Sequence, residues 1–524
     1  MSKHSQPKLF FCFNGLIFLL FSLAQAQNYP GLTQIELTLV DSAATGYATF
    51  QSHNQKIVSN ENGIFMTHIR SRNEPYTAQQ WRLSRSVDNG ESFQTIYEAT
   101  HATNPPVLET DEQNNIYLVR PDFLDNHAYY YRFLSQNNYL NPSISKITGG
   151  SAGKYCMVYD SHQELFYYFA WGYNLWGFTP SGTVRLKREL CKAGDHAGPQ
   201  YPLCYLDKNS HLHTAWTTLK HGVYMYWDIH YMVSVDSGRT WQKMDGTPLQ
   251  IPIKVDDSGP SDRITLDDEF EVHSWLSNFL VKDHKIHFLY MAQFVPYRQH
   301  YVRYDIETAT RDIDIFPEFK GNQIYLLGLD GFFTTKSSLE NAPLYCIGNF
   351  GGHPACLASD DNGETWYDYA TCEASFNVYS LGGCREITAE GYVIGTFTDY
   401  KVSPEGIDIS QVHFLKIKAG LSTAEIAKVK YQPGNLYMKF DNAKGQPEFI
   451  RFQNSDSTWS EWFDFQVEKN IAFDAAPRYY QLKSRMGIES NIFEIDYSAS
   501  VSGGARKFLH FDFSTQNYPN PFNS

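Results

Sequence analysis

The chain has 524 residues, 16% of them aromatic, and a formal net charge of −14 at pH 7. A chain of this length can bury a large core, and its 36 Tyr and 36 Phe suit a β-rich protein with stacked sheets. The negative charge argues against a nucleic-acid partner, and binding of a polyanion would require a local cationic pocket.

The N-terminus has the pattern of a signal peptide. Lys3, His4 and Lys8 precede the apolar run Leu9–Leu23, and residues 24–26 resemble a cleavage site. We therefore expect residues 1–26 to be removed and the mature chain to be secreted or held at the cell surface. A membrane anchor is the alternative, but the run is short and no later segment resembles a transmembrane span.

From residue 27 onward the sequence predicts short strands. Runs such as 115–119 and 165–169 are rich in β-branched and aromatic residues, and Asn, Asp and Gly lie between them. Residues 27–60 are expected to supply an edge strand or to close a ring of sheets. The segment 61–110 is expected to form the first marked repeat of that ring.

An eight-residue motif of the form Ser-x-Asp-x-Gly-x-x-Trp occurs three times, at Ser86–Phe93, Ser234–Trp241 and Ser359–Trp366, with Phe replacing Trp in the first copy. The Asp side chain can accept backbone N–H groups of a tight turn, and the Gly can adopt a positive φ. The three copies resemble the Asp-box (BNR) repeats of β-propellers such as sialidases. They predict fold rather than chemistry.

The spacing of the motifs predicts the number of blades. A four-stranded blade with its loops needs roughly 40–70 residues, so each gap between motifs corresponds to about two blades. The motifs would then mark blades one, three and five. We expect an all-β, seven-bladed β-propeller, with six or eight blades as alternatives.

The densest polar segment, 194–202, contains His196 and precedes a predicted hairpin whose second strand contains His213. We expect the His196 loop and the far end of the His213 strand to lie at the same end of the hairpin. Two later strands carry Tyr290 and Arg303. Two of these residues also have a structural interpretation: His213 as a half-buried strand residue and His196 as a support for its loop. Arg298 is an alternative to Arg303 for the same role.

Seven cysteines remain after the signal peptide, so complete pairing within the chain is excluded. His353, Cys356, Cys372 and Cys384 together would give a thiolate-rich site of the kind that structural zinc prefers. A Cys346–Cys356 disulfide or ordinary buried thiols are the alternatives.

The segment from about 420 to 512 keeps the strand pattern, and we assign it to the last blades, with a separate β-sandwich as the alternative. The predicted propeller domain therefore spans residues 27–512. Residues 513–524 resemble the opening of the C-terminal sorting domain of the type IX secretion system of Bacteroidetes.

The order His196, His213, Tyr290 and Arg303, together with the three motifs, resembles the propeller ulvan lyases of polysaccharide lyase families 24 and 25. The resemblance covers most of the mature chain. It implies a seven-bladed propeller with a structural zinc and no organic cofactor. It also implies that the substrate is ulvan, the sulfated rhamnose–uronic acid polysaccharide of green seaweeds.

The implied reaction is β-elimination at a uronic acid. The C5 proton is weakly acidic while the adjacent carboxylate is charged, so a cation or strong hydrogen-bond donors must neutralise that carboxylate. Arg303 suits this role because its guanidinium is permanently charged. A base and an acid must also transfer protons, and we predict His196 and Tyr290 for these roles, supported by His213.

Two other functions stay open at this stage. One is a sialidase-like glycoside hydrolase, although the arginine triad that sialidases use is hard to assemble from this sequence. The other is a non-catalytic glycan-binding propeller. A monomer is expected in each case.

Overall fold

The computed structural model describes residues 33–497, apart from residues 52–53, 71–78, 103, 123, 151–152, 171–172, 224, 257–258, 270–271, 295 and 326–330. The predicted signal peptide 1–26 and the tail 513–524 lie outside the described residues. The described residues contain no α-helix, only the short 3-10 helices Ser135–Asn137 and Asp267–Glu269. Among them, therefore, no helix is long and apolar enough to cross a membrane.

Up to residue 418, most of the described strands can be divided into seven units of four antiparallel strands, which we call sheets and number in chain order. A single bridge between Ala44 and Arg70 joins the first and last of them. Sheet 1 contains Ile57–Asn60, Gly63–Arg70, Gln79–Ser86 and Gln94–Ala102. Sheet 2 contains Val107–Thr110, Ile116–Asp122, His127–Phe133 and Ser143–Thr148. Sheet 3 contains Tyr155–Asp160, Leu165–Ala170, Asn174–Phe178 and Val184–Glu189. Sheet 4 contains Ala197–Leu206, Leu212–Lys220, Tyr226–Ser234 and Trp241–Gln242, extended by Pro248–Leu249 and Asp262–Arg263.

Sheet 5 contains Ser274–Lys282, Lys285–Ala292, Arg298–Asp305 and Thr310–Ile315. Sheet 6 contains Phe332–Thr334, Leu344–Phe350, His353–Ser359 and Tyr367–Thr371, with Thr33–Gln34 parallel at its edge. Sheet 7 contains Val378–Gly383, Tyr392–Asp399, Ser410–Lys418 and, from the other end of the chain, Glu36–Ala44. Two small pairs lie between the sheets: Cys191–Ala193 with Ile253–Val255, and Glu318–Phe319 with Asn322–Gln323.

The first strands of successive sheets lie side by side and form a ring. The backbone N–H of Leu108 in sheet 2 donates to the Gln55 carbonyl beside sheet 1 at 2.8 Å. The Gln55 side chain in turn accepts the backbone N–H of Arg385, which follows the first strand of sheet 7, at 3.0 Å. Gln55 therefore links the first and last sheets, and the all-β propeller prediction is confirmed.

Burial explains why the inner strands read as nearly continuous apolar runs. Every residue of the second strand Ile116–Asp122 is buried, since sheets on both sides cover it. In contrast, the outermost strands Val184–Glu189 and Thr310–Ile315 have only exposed and half-buried residues. Each blade therefore packs through its inner strands and presents its outer strand to solvent.

Each Ser-x-Asp-x-Gly motif connects the third and fourth strands of a sheet. In the second copy the Asp236 carboxylate accepts the backbone N–H of Thr240 at 2.8 Å, and Ser234 Oγ accepts the backbone N–H of Gly238 at 2.8 Å. The turn predicted from the motif is thus formed. The motifs belong to sheets 1, 4 and 6, however, not to blades one, three and five. The reason is that the compact sheets 2 and 3 both lie within the first gap.

The segment after the ring does not form the last blades to which the sequence-based interpretation assigned it. Its strands are Thr423–Gln432, Asn435–Lys444 and Glu468–Ile471 in one sheet, and Phe463–Asp464, Pro447–Phe452, Tyr479–Ser484 and Glu489–Glu494 in a second sheet. Both sheets contribute to one separate core that includes Met438 and Leu482. This is the β-sandwich alternative, because the N-terminal strand Glu36–Ala44 already completes sheet 7.

The motif glycines predict a measurable stability difference. Gly363 has a φ of +86°, and a Cβ there would lie 1.7 Å from the hydroxyl of Tyr301 in the preceding sheet. Gly246 has a similar φ of +81° but open space around it. We expect Gly246→Ala to cost about 1–2 kcal/mol of unfolding free energy through its φ. Gly363→Ala should cost about 1–3 kcal/mol more through the clash. Urea denaturation of both variants measures the two losses. Equal losses would contradict the close packing of Gly363 against Tyr301.

Candidate functional site

The two ends of the ring can be assigned from strand direction. Neighbouring strands in a sheet run antiparallel, so the end at which the first strands begin is also the end at which the second strands finish and the third strands begin. We call this end the mouth. The Ser-x-Asp-x-Gly motifs follow the third strands and therefore lie at the opposite end, which we call the motif end.

The four residues predicted to be catalytic are divided between these ends. His196 is exposed just before the first strand of sheet 4, and Tyr290 lies near the finish of a second strand, so both belong to the mouth. His213 begins a second strand and Arg303 lies near the finish of a third strand, so both belong to the motif end. The far end of the His213 strand does lie beside the His196 loop, since His221 N–H donates to the His196 carbonyl at 2.7 Å.

Arg303 is held by acidic and backbone groups at the motif end. Its guanidinium donates to both carboxylate oxygens of Asp312, at 3.0 and 2.9 Å, and to the Asn362 carbonyl of the third motif at 2.7 Å. Its side chain is 6% exposed. These contacts connect sheets 5 and 6, and they occupy the guanidinium fork that the sequence-based hypothesis reserved for a substrate carboxylate.

Tyr290 is fully buried, and its hydroxyl donates to Glu269 Oε2 at 2.8 Å. Burial and the Glu269 charge raise the pKa of Tyr290, the direction opposite to that needed for a base. His300 stacks on the Tyr290 ring and lies 2.7 Å from Glu269 Oε1 and 2.8 Å from Asp314 Oδ1. Burial opposes charge on His300, but these two carboxylates outweigh burial and raise its pKa.

The predicted zinc ligands are not brought together. Among the described residues, only Asp207, His211 and His213 form a group of three or more potential ligands whose donor atoms lie within 4.8 Å of one another. Cys356 and Cys372 belong to one core and Cys384 to another, and all three are free buried thiols. His353 Nδ1 lies 3.0 Å from the Ala374 carbonyl. The four residues that the sequence suggested for zinc therefore do not form a zinc site in the described structure.

The channel along the ring axis is closed by side chains. Arg385 forms an ion pair with Glu109 of sheet 2 and donates to the Met157 carbonyl of sheet 3 at 3.2 Å. The cavity beside it has a volume of only about 10 Å³. This cavity is too small to hold a sugar ring, so we expect a polysaccharide to bind at an end of the ring.

The mouth contains a cluster of polar and aromatic side chains from sheets 3, 4 and 5, which we call the mouth cluster: Lys154, Gln200, Tyr201, Tyr226, His273 and Trp275. The Lys154 ammonium donates to Gln200 Oε1 and, at 3.0 Å, to the Tyr226 hydroxyl. It lies 4.2 Å from the centre of the Tyr201 ring. Burial lowers the pKa of Lys154 to about 8.

Lys154 lacks an acidic partner within the described part of the chain, where no carboxylate oxygen lies within 4.0 Å of its ammonium. Lys56, which is 1% exposed, donates to carbonyl oxygens of Gln51 and Asn54. Gln51 in turn donates to the Gly153 carbonyl next to Lys154 at 2.6 Å. An uncompensated ammonium in a partly desolvated position favours an anionic ligand. The mouth is therefore the local cationic pocket that a polyanion would require.

The backbone of sheet 4 is irregular where it carries this cluster. The pairing register shifts between Gln200 and Leu203, and Tyr201 adopts a φ of +51°. β-Bulges reorient side chains and are common beside functional sites, and a bulky residue with positive φ is uncommon. The bulge brings the Tyr201 ring against Lys154.

The remaining members of the mouth cluster supply an imidazole and an indole. The His273 ring centre lies 5.6 Å from that of Tyr226 and 5.0 Å from that of Trp275. Burial lowers the pKa of His273, so its imidazole is neutral near pH 7 and able to accept a proton. The cluster thus combines a cation, a phenol, a neutral base and one half-buried indole on which a sugar ring can stack.

Sequence reasoning missed this cluster. Lys154 and His273 belong to no repeated motif, and Tyr226 and Trp275 read as ordinary strand aromatics. The one available signal was the dense polar segment 194–202, which contains Gln200 and Tyr201 but drew attention only to His196.

No protein-family model and no curated protein sequence matches the chain. Two solved structures of a family PL25 ulvan lyase are similar to it, each with 10% sequence identity and with coverage of 72% of this chain and 95% of that chain. The TM-scores are 0.51 for one and 0.53 for the other, which is bound to -[GlcA(1-4)Rha3S]-. The predicted resemblance to propeller ulvan lyases is thus confirmed at the level of fold.

Tyr290 offers a direct test of its structural and catalytic roles. We expect Tyr290→Phe to lose about 1–3 kcal/mol of unfolding free energy, because Glu269 loses a buried donor. Tyr297→Phe is the matched control, since Tyr297 is 38% exposed on the same hairpin. Urea denaturation measures the difference. Normal turnover in the folded Tyr290→Phe variant would also remove Tyr290 from any mechanism.

Proposed function

We propose that the protein is an exported polysaccharide lyase that cleaves a uronate-containing anionic polysaccharide by β-elimination, with ulvan as the first substrate to test. The observation that carries this proposal is the Lys154 ammonium, which is partly desolvated at the mouth without a described carboxylate partner. The fold similarity to a lyase bound to a glucuronate-containing fragment supports the choice of substrate.

The mouth cluster suits the first demand of the reaction, which is charge neutralisation. The substrate carboxylate binds the Lys154 ammonium, and Gln200 and Tyr226 hold that ammonium in place. Neutralising the carboxylate lowers the energy of the enolate-like intermediate that forms when the C5 proton leaves. Trp275, which is half-buried, offers an aromatic face to a neighbouring sugar ring.

The second demand is proton transfer. His273 is neutral near pH 7 because burial lowers its pKa, and we assign it the removal of the C5 proton. The electron pair left on C5 forms the C4–C5 double bond, and the C4–O bond breaks. His196 is exposed at the same end of the ring and keeps its predicted proton-transfer role, here protonation of the departing oxygen.

The assay of the proposed function follows the product. We expect ultraviolet absorbance of an unsaturated uronate to rise when the purified mature chain is mixed with ulvan, with heparin and alginate as comparison substrates. New reducing ends without that absorbance would indicate a hydrolase. Retardation of ulvan in a gel without any cleavage would indicate a binding propeller.

Lys154 predicts a specific pH profile. Its charged form is needed, and its pKa is lowered to about 8, so kcat/KM should fall as pH rises through about 8. Lys154→Arg should move this decline to higher pH because a guanidinium stays protonated. Lys154→Ala should lower kcat/KM about 100-fold or more at pH 7.

The control variant for this series is Lys430→Ala, which removes the same charge from an exposed position on the C-terminal sandwich. It should keep both the activity and the pH profile. An unchanged alkaline decline in Lys154→Arg would show that another group titrates, and normal turnover in Lys154→Ala would exclude the proposed role of Lys154.

A further inference from the structure

A compact group of potential metal ligands lies at the motif end of sheet 4, far along the hairpin from the mouth. Asp207 and His211 belong to the turn between the first and second strands, and His213 is the second residue of the second strand. One donor atom from each of these residues lies within 4.8 Å of the others. The group is therefore built within seven consecutive residues.

The spacing of the donors matches a metal site. Asp207 Oδ2 lies 3.0 Å from His211 Nδ1 and 3.5 Å from His213 Nε2. A tetrahedral ion with ligands at about 2.0–2.1 Å separates neighbouring ligand atoms by about 3.3 Å. The two distances lie on either side of this value, so an ion fits with only small movements of the side chains.

The carboxylate is oriented by the turn itself. Asp207 Oδ1 accepts the backbone N–H groups of Asn209 and His211, both at 2.8 Å. These hydrogen bonds fix the rotation of the carboxylate and leave Oδ2 directed at the two imidazoles. A carboxylate fixed in this way loses little conformational freedom when it binds an ion.

His213 supplies the independent evidence for a ligand. It is 2% exposed, and its Nε2 atom has no hydrogen-bond partner in the described structure. Its Nδ1 atom lies 2.5 Å from the buried Tyr231 hydroxyl. When Nδ1–H donates to that hydroxyl, Nε2 presents its lone pair to Asp207 Oδ2, with which it cannot then form a hydrogen bond. A metal ion between them would satisfy both atoms, and partners such as Tyr231 commonly orient ligand histidines.

We propose that Asp207 Oδ2, His211 Nδ1 and His213 Nε2 bind one divalent transition-metal ion of the zinc class, with water completing the coordination. Two imidazoles favour such an ion over Ca²⁺ or Mg²⁺, which prefer oxygen ligands. The site lies at the end of the ring away from the mouth cluster, so the ion stabilises the fold of the sheet 4 turn. It is distinct from the cysteine-containing set that the sequence suggested.

The test uses the full mature chain, stripped with a chelator and then dialysed against Zn²⁺. We expect elemental analysis to find one zinc per chain after removal of unbound ion. The thermal midpoint should rise by about 2 °C or more with Zn²⁺, and Mg²⁺ should have no effect. Failure to retain zinc, or an equal response to Mg²⁺, would overturn the proposal.

Variants show whether the retained ion lies at this site. His211→Ala removes a ligand that is 35% exposed, so the fold should survive, and the variant should lose both the bound zinc and the thermal shift. Asp207→Asn provides a second variant with a weaker ligand. His221→Ala, at the other end of the same hairpin, is the control and should keep both responses. Equal zinc content in His211→Ala and the control would place the ion elsewhere and refute the assignment.

Discussion

Antiparallel pairing of Glu36–Ala44 with Ser410–Lys418 is the interaction on which the rest of the structure depends. It joins the first and last segments of the ring and completes the sheet that closes it. Closure forces the first strands to converge, and Arg385 and Glu109 then meet across the axis from sheets 7 and 2. Without closure, the loops that precede the first strands would not face one another, and sheets 3, 4 and 5 would present no common mouth.

The convergence also explains how a protein with a net charge of −14 can attract a polyanion. Some carboxylates elsewhere are paired with cationic neighbours, as Asp312 is with Arg303 and Lys285, whereas Lys154 faces the mouth among uncharged groups. Attraction over distance depends on the net charge and is screened by salt. Binding at short range depends on the local ammonium, which is partly desolvated and therefore less screened.

Much of the fold could be predicted from local sequence, and much of the site could not. The Ser-x-Asp-x-Gly turns were predictable because their hydrogen bonds form within eight residues. Their assignment to blades was wrong because sheets 2 and 3 carry no motif. The predicted cysteine-containing zinc site is not formed, because closeness in sequence does not place side chains in one core. Cys372 and Cys384 belong to different hydrophobic cores. The mouth cluster depends on contacts between three sheets, which no local pattern records.

His213 shows how one residue can support two different hypotheses, a catalytic one from the sequence and a metal-binding one from the structure. The sequence analysis named His213 on a predicted strand, and the resemblance to ulvan lyases directed attention to catalysis. Strand direction favours the metal-binding hypothesis, since a residue that begins a second strand lies at the end opposite the loops before the first strands. A propeller strand thereby keeps its two ends apart: groups seven residues apart along one strand, such as His213 and Lys220, lie at different ends of the ring.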